Sequence, residues 1–405
     1  MFSAIFGQTE ILMKIKYSPS TGETGFSLIE LMIVLTVMLI VSTSVFSLLN
    51  QSLKISGVSG QMVEAQQSLR TAQEYINRDL YNAGDNLTGF SPMMNGQFAV
   101  NYLSQNLIAH PTLGNAANPA AGIVTTGIVL SDNRTPGIVP ITSPLEPELV
   151  TNPVADRVTL LTTPDAGNTF PDIGTVSTGT TNNGSSEIYV SSASITDANN
   201  NPMIFPGDIF LLYNNAASGT NTSSAFVSVT AVVPTSGRGG VSTVRFGAGA
   251  NSYGLNSGVF NPVLVSAASN NGATASLSLK KVWIVNYFID NQNRLFRRVF
   301  GQRLSPTALP FTESIIAEKI TNMQFSYVLR RIVTDAQGVI TNILPPETIP
   351  QLRTPNELDW IRQVRVVVTA QTARPVINNQ TQDVSSSTVI SPRNLQFRGA
   401  LQPGS

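Results

Sequence analysis

The hydrophobic pattern divides the chain into a helical front and a β-patterned remainder. Residues 26–49 read FSLIELMIVLTVMLIVSTSVFSLL, in which Glu30 is the only charged side chain. At about 1.5 Å per residue such a helix reaches about 36 Å, against roughly 30 Å for the hydrocarbon core of a bilayer, so it is long enough to cross a membrane. Beyond it, Val58, Met62, Ala65, Leu69, Ala72, Ile76, Leu80 and Ala83 recur at intervals of three and four. That spacing predicts an amphipathic continuation of the same helix, stopping at Gly84. Gly57 and Gly60 interrupt the junction, where each costs about 1 kcal/mol of helix propensity relative to Ala and predicts local melting.

After the helix the period changes. Residues 86–155 have little periodicity and read as extended loops around short strands. Alternating, β-branched runs then predict strands: DRVTLL at 156–161, SEIYVSS at 186–192, GDIFLLY at 207–213, AFVSVTAVV at 225–233 and VSTVRFG at 241–247. The polar linkers at 176–185 and 214–223 read as exposed loops. KVWIVNYFID at 281–290 and RLFRRVFG form a hairpin across NQN, ESIIAEKI at 313–320 fits a short helix or turn, MQFSYVLRRIV reverses at TDAQG, and IRQVRVVVTAQTA at 361–373 is a strand. The expected fold class is α+β, with one long N-terminal helix packed on a large β-rich head. The division is residues 1–25, a helix over 26–85 whose half at 26–49 spans the membrane, a β-rich part at 86–279, and a C-terminal β-rich part at 280–405.

Composition removes most chemistry. The 405 residues carry 24 Lys+Arg against 24 Asp+Glu, no Cys and one His. Thiolate zinc sites, iron–sulfur clusters, disulfides and Cys nucleophiles are excluded, as is any multi-histidine metal site. A Ser-His-Asp triad has only His110 to draw on, and that residue sits between Ala and Pro and reads as structural. No phosphate loop or dinucleotide fingerprint is present. No catalytic residues, metal, cofactor or small-molecule substrate are therefore expected, and the chain does not read as an enzyme. The run from Asp290 to Asn293 superficially matches a calcium loop, but Leu295 and Gly301 stand where that loop needs Gly and a bidentate Glu. The Asp/Asn run at 196–201 reads as a solvated turn.

Zero net charge argues against nucleic acid as an obligate partner. The balance is uneven, however: 15 basic against 8 acidic residues over 277–405, and 4 against 9 over 92–276. Arg294, Arg297, Arg298, Arg303, Arg330 and Arg331 concentrate this basic end, and cross-strand pairing with carboxylates, including those of the acidic segment, is the expected use.

Glu30 decides how the front segment is read. A carboxylate within an apolar run typically costs about 2.5 kcal/mol or more toward the helix centre. A cleaved secretory signal, with small residues near Ser42 and Ser44, fits poorly because Lys14 and Lys16 lie about ten residues before the run and the run is too long. A plain signal anchor leaves Glu30 unexplained. The string TGFSLIELMIVLTVM, in contrast, resembles the class III signal of type IV pilins and type II secretion pseudopilins. That resemblance implies cleavage by a prepilin peptidase after Gly25, N-methylation of the new terminus Phe26, and a docking role for Glu30. Residues 1–25 are then the leader, and Met13, followed by KIKYSPSTGETG, reads as a start giving a shorter leader of net charge +1. Cleavage leaves an α-amine one turn from Glu30, and a neighbouring subunit's carboxylate can neutralise it in an apolar bundle where attraction is weakly screened. Many relatives have Pro at the position of Ser47, which this chain lacks.

The order of the C-terminal elements, with AEKITNMQFSY and VRVVVTAQT, resembles the heads of PilW-type minor pilins, as does RDLYNAGDN at 78–86. The resemblance implies a minor pilin held in the inner membrane, with its head in the periplasm or outside, before it joins other minor and major pilins in assembly initiation or at the pilus tip. The alternatives are a minor pseudopilin of a type II secretion system and a tip adhesin on a pilin stalk.

Overall fold

The computed structural model describes residues 25–84, 93–94, 123–124, 129–133, 155–163, 173–177, 187–191, 203–214, 224–234, 241–246, 255–256, 276–301, 311–334, 340–350, 360–372 and 381–392. Residues 1–24, read above as part of a leader, His110, the run at 196–201, Arg303 and most of both polar linkers lie outside them.

Helix α1 (Leu28–Tyr81) is a single element of 54 residues. It opens with the Leu31 amide donating to the Ser27 carbonyl at 3.1 Å and ends at Tyr81; three residues on, Gly84 takes a left-handed φ of 70° and its amide donates to the Leu161 carbonyl at 2.7 Å, turning the chain onto the strand at residues 157–162. Gly57 and Gly60 do not melt it. Both are helical, and a Cβ at either would meet nothing within 4 Å, so their cost is propensity alone, set against cooperative helix on both sides. The chain divides into two compact units after Ser59.

In the first unit, helix residues 28–59 form no packed core, and almost every large apolar side chain from Leu28 to Ile55 is more than half exposed. Three hydroxyls in this stretch are satisfied locally. Thr36, Thr43 and Ser44 donate to the carbonyls four residues back at 2.8, 2.6 and 3.0 Å, which removes the cost of placing them in an apolar medium. This is the one helix among the described residues that is long and apolar enough to cross a membrane.

In the second unit the strands are β1 (Met93–Met94), β2 (Ile123–Val124), β3 (Val129–Asn133), β4 (Arg157–Thr162), β5 (Ile173–Ser177), β6 (Glu187–Ser191), β7 (Ile209–Asn214), β8 (Ser224–Ser228), β9 (Ala231–Pro234), β10 (Val241–Arg245), β11 (Ser276–Ile289), β12 (Leu295–Phe300), β13 (Phe311–Ala317), β14 (Ile320–Leu329), β15 (Ile332–Thr334), β16 (Ile340–Ile343), β17 (Glu347–Ile349), β18 (Ile361–Gln371) and β19 (Asp383–Ile390). The expected hairpin is β11–β12, with antiparallel register from Ile289↔Leu295 to Ile284↔Phe300. Strand β11 is long enough to serve two neighbourhoods: its first half pairs β7 and β5, and its second half pairs β12 and β4. The large sheet therefore runs β13-β12-β11-β7-β8-β1-β2, and a second sheet runs β17-β14-β18-β19.

The amphipathic stripe supplies the core. Ala65, Leu69, Ala72, Ile76, Leu80 and Ala83 are buried against Val158, Leu160, Val285, Tyr287, Ile289 and Val299 of the large sheet and Met323, Phe325, Val366 and Val368 of the second. Small residues alternating with Leu and Ile let the helix approach both sheets closely. Asp156 joins the sheets: its amide donates to the Met323 carbonyl at 2.8 Å and its Oδ2 accepts from the Phe325 amide at 2.9 Å.

Several local expectations need correction. ESIIAEKI is not helical; its first five residues belong to strand β13, and Glu318 and Lys319, the latter at φ 61°, make the turn into β14. Pairing of β13 with β12 overrides the helical propensity of the segment. AFVSVTAVV is two strands, because the Val229 amide bonds the Asp208 carbonyl and the Thr230 amide bonds the Arg245 carbonyl, turning the chain from the β7 partner to the β10 partner. MQFSYVLRRIV is broken at Arg330, whose amide donates to the Trp360 carbonyl at 2.8 Å, before β15 resumes.

Candidate functional site

Two places bear on function: the start of α1, and the end of α1 where the helix is fastened to the head.

At the start, Gly25, Phe26 and Glu30 are all exposed, with Phe26 at 79%. Among the described residues nothing lies within 4 Å of a Cβ at Gly25, so none of them crowds the peptide bond that follows. Glu30 lies in the first turn, where a carboxylate also meets the positive end of the helix dipole. The three residues thus form one accessible segment at the head of an apolar helix.

At the far end, Asp79 lies on the buried side of the stripe, three residues after Ile76. Its Oδ2 accepts from the Tyr287 hydroxyl at 2.5 Å and from Arg297 Nε at 2.6 Å, and its Oδ1 accepts from Arg297 Nη2 at 3.2 Å. Arg78 stands beside it, its guanidinium 4.9 Å from the Tyr75 ring centroid and its Nε 3.7 Å from Asp79 Oδ1. Tyr287 from β11 and Arg297 from β12 face each other across the hairpin register, so one carboxylate of α1 gathers both strands. The sequence signal for this node is an Asp on the apolar side of an amphipathic helix, a position the helical period alone assigns to packing.

Burial, and then the Asp79 charge, raise the Tyr287 phenol well above its usual pKa, with Arg297 opposing. Burial alone would lower the Arg297 guanidinium, but the Asp79 hydrogen bonds and charge outweigh it and raise it. The tyrosine shift has a sign that can be checked. Unfolded tyrosine releases its proton near pH 10 while the folded chain retains it, so the stability involved is complete below about pH 10 and is lost as pH rises toward the folded value. Tyr287→Phe is expected to flatten that alkaline fall by one proton, read from urea unfolding midpoints between pH 9 and pH 11.

Three more arginines of the basic cluster are also engaged. Arg298, 1% exposed, meets Glu313 at 2.6 Å and lies between the rings of Phe288 and Phe311 at 5.2 and 4.3 Å. Arg294 meets Asp290 at 2.6 Å, and Arg331 meets Glu347 at 3.1 Å. These carboxylates lie outside the acidic 92–276 segment; the described ion pair that does reach it is Lys281 with Asp208, at 2.9 Å. Asp290 Oδ1 accepts from the Gln292 and Arg294 amides, which makes it a turn residue. Among the described residues no three His, Asp or Glu side chains gather as a metal site requires.

Residues 21–46 match the prokaryotic N-terminal methylation motif, a span that covers Gly25, Phe26 and Glu30 and the first turns of α1. No curated protein and no solved structure gives a significant match. This signal, set directly on a membrane-length helix that continues into a β-sheet head, supports a type IV pilin-like or pseudopilin-like precursor.

Proposed function

We propose that the protein is a minor pilin of the PilW type, a structural subunit that a prepilin peptidase processes between Gly25 and Phe26 and that acts in pilus assembly initiation or at the pilus tip. The observation that carries this reading is the methylation motif joined without a break to one helix whose front half is exposed and whose rear half holds the head. Phe26 becomes the N-methylated terminus and Glu30 the docking carboxylate. The size of the head favours the end of a filament, because a bulky head crowds a helical lattice. No disulfide braces the head, and buried ion pairs and sheet packing hold it instead. In this role it acts alongside other minor and major pilins, with the inner membrane as its station before assembly.

Mass spectrometry of the terminus, from cells with and without the peptidase, tests the processing step. A methylated Phe26 found only with the peptidase is the expected result. A leader still attached, or a terminus near Ser44, would remove the basis for assembly. Deletion of the gene then separates the pilus role from the pseudopilin alternative: loss of surface pili supports the first, and loss of protein secretion with pili intact supports the second.

A further inference from the structure

We propose that Lys54 is a lipid-phosphate site, its ammonium binding the phosphodiester of a phospholipid in the leaflet facing away from the cytoplasm and so setting the depth of α1 before assembly. The inference rests on α1 being held in a membrane, as the function above requires. Along the helix the charges run Glu30, Lys54, Glu64, with none between. Residues 31–53 are therefore uncharged, and as a helix they measure about 35 Å, the thickness of a hydrocarbon core plus entry into both headgroup layers. Lys54 stands at the outer end of that length. It is exposed and has no ion pair among the described residues. Asn50, Gln51 and Ser52 precede it, a polar collar of the kind that meets the interface. On its helix face Lys54 neighbours Asn50, Gln51, Gly57 and Val58, with exposed Leu53 and Ile55 to either side, and its flexible stem gives the ammonium reach toward the headgroup layer.

An ammonium is a compact charge with three donors, suited to phosphate oxygens without fixed geometry. It is also the one charge that stops the helix on this side. Without it the uncharged stretch would extend over residues 31–63, about 50 Å of helix, and depth would rest on weakly polar residues alone.

The test uses the full processed chain in vesicles of phosphatidylethanolamine and phosphatidylglycerol. The processed chain contains only Lys54, Lys280, Lys281 and Lys319, so 13Cε-lysine labelling gives few signals. Dephasing of one of them by lipid 31P, lost in Lys54→Gln, is the expected result; equal dephasing in both chains, or none, overturns the site and leaves the ammonium merely hydrated. A second readout exploits the absence of cysteine. A thiol introduced by Ser56→Cys should react with a membrane-impermeant maleimide, and Lys54→Leu should slow that reaction about tenfold as the helix sinks, because a lysine near the interface keeps only part of the cost that a central one carries. An unchanged rate overturns the depth role. The terminus is weighed on the same preparation, so an uncleaved leader counts against the pilin reading while the 31P result still decides the lipid site.

Discussion

Replacing Asp79 with Leu is expected to lower the stability of the head by about 3–5 kcal/mol, the usual effect of removing one partner from a buried ion pair. The side chains of Asp79 and Arg297 are 7% and 14% exposed, so solvent screens the pair little. The loss would come mainly from what is left behind. Arg297 would keep its charge in a site built from Tyr287 and the apolar stripe, and the Tyr287 hydroxyl, fully buried, would lose its acceptor. The double variant Asp79→Leu with Arg297→Met should recover much of the loss, because a well-packed apolar pair often equals a buried ion pair. Trp283 and Trp360, both packed against the core, are the only tryptophans and report unfolding by fluorescence. If the single and double variants unfold at the same urea concentration, the stranded charge is not the source of the cost. The node has a mechanical meaning as well. At the other end of the buried stripe Glu64 meets Lys319 at 2.6 Å, but that pair is far more exposed and contributes little. Beside the apolar stripe, the buried ionic tie between helix and sheets is thus at Asp79, where one carboxylate holds both strands of the β11–β12 hairpin.

The parts of this structure legible in the sequence are those in which one side of an element is apolar and the other is not. The stripe from Ala65 to Ala83 predicted both the helix and its buried side, and the alternation in KVWIVNYFID and IRQVRVVVTAQTA predicted β11 and β18. Strand β19 escaped because DVSSSTVI offers little hydrophobic contrast; its place comes from eight consecutive pairs with β18, a non-local partner that propensity cannot see. ESIIAEKI misled for the converse reason, since its local preference was overruled by pairing with β12 and by Glu313 reaching Arg298. At the front of the chain the methylation motif over residues 21–46 was legible, because such a motif depends on local sequence. Asp79, Tyr287 and Arg297 were not, because they meet across more than two hundred residues.

Glu30→Gln is expected to leave cleavage after Gly25 intact while N-methylation stops and the subunit's yield in sheared filaments falls by about tenfold or more. The argument starts from the new terminus. Cleavage would place an α-amine at Phe26, one helical turn before residue 30, and in a bundle of apolar helices that amine needs a compensating charge. Glutamine keeps the size and the hydrogen-bonding oxygen of the side chain but removes the charge, so an effect of the substitution isolates the electrostatic part. The amine has a way to reduce the damage: with an ordinary pKa of about 7.7–8.0 it can shed its proton at a cost of roughly 1 kcal/mol at pH 7. The penalty should therefore be close to tenfold and not a thousandfold, and in a reconstituted assembly reaction it should shrink as pH rises past 8, where the amine is already neutral. Glu30→Lys, which adds a second positive charge beside the amine, should be worse than Gln at every pH below that point. Mass spectrometry of the terminus and immunoblots of filament and membrane fractions read all three chains. Equal incorporation of the wild type and the Gln and Lys variants would show that the carboxylate is a tolerated interfacial residue, and the pairing of neighbouring subunits would have to be carried by the apolar side chains of α1 alone.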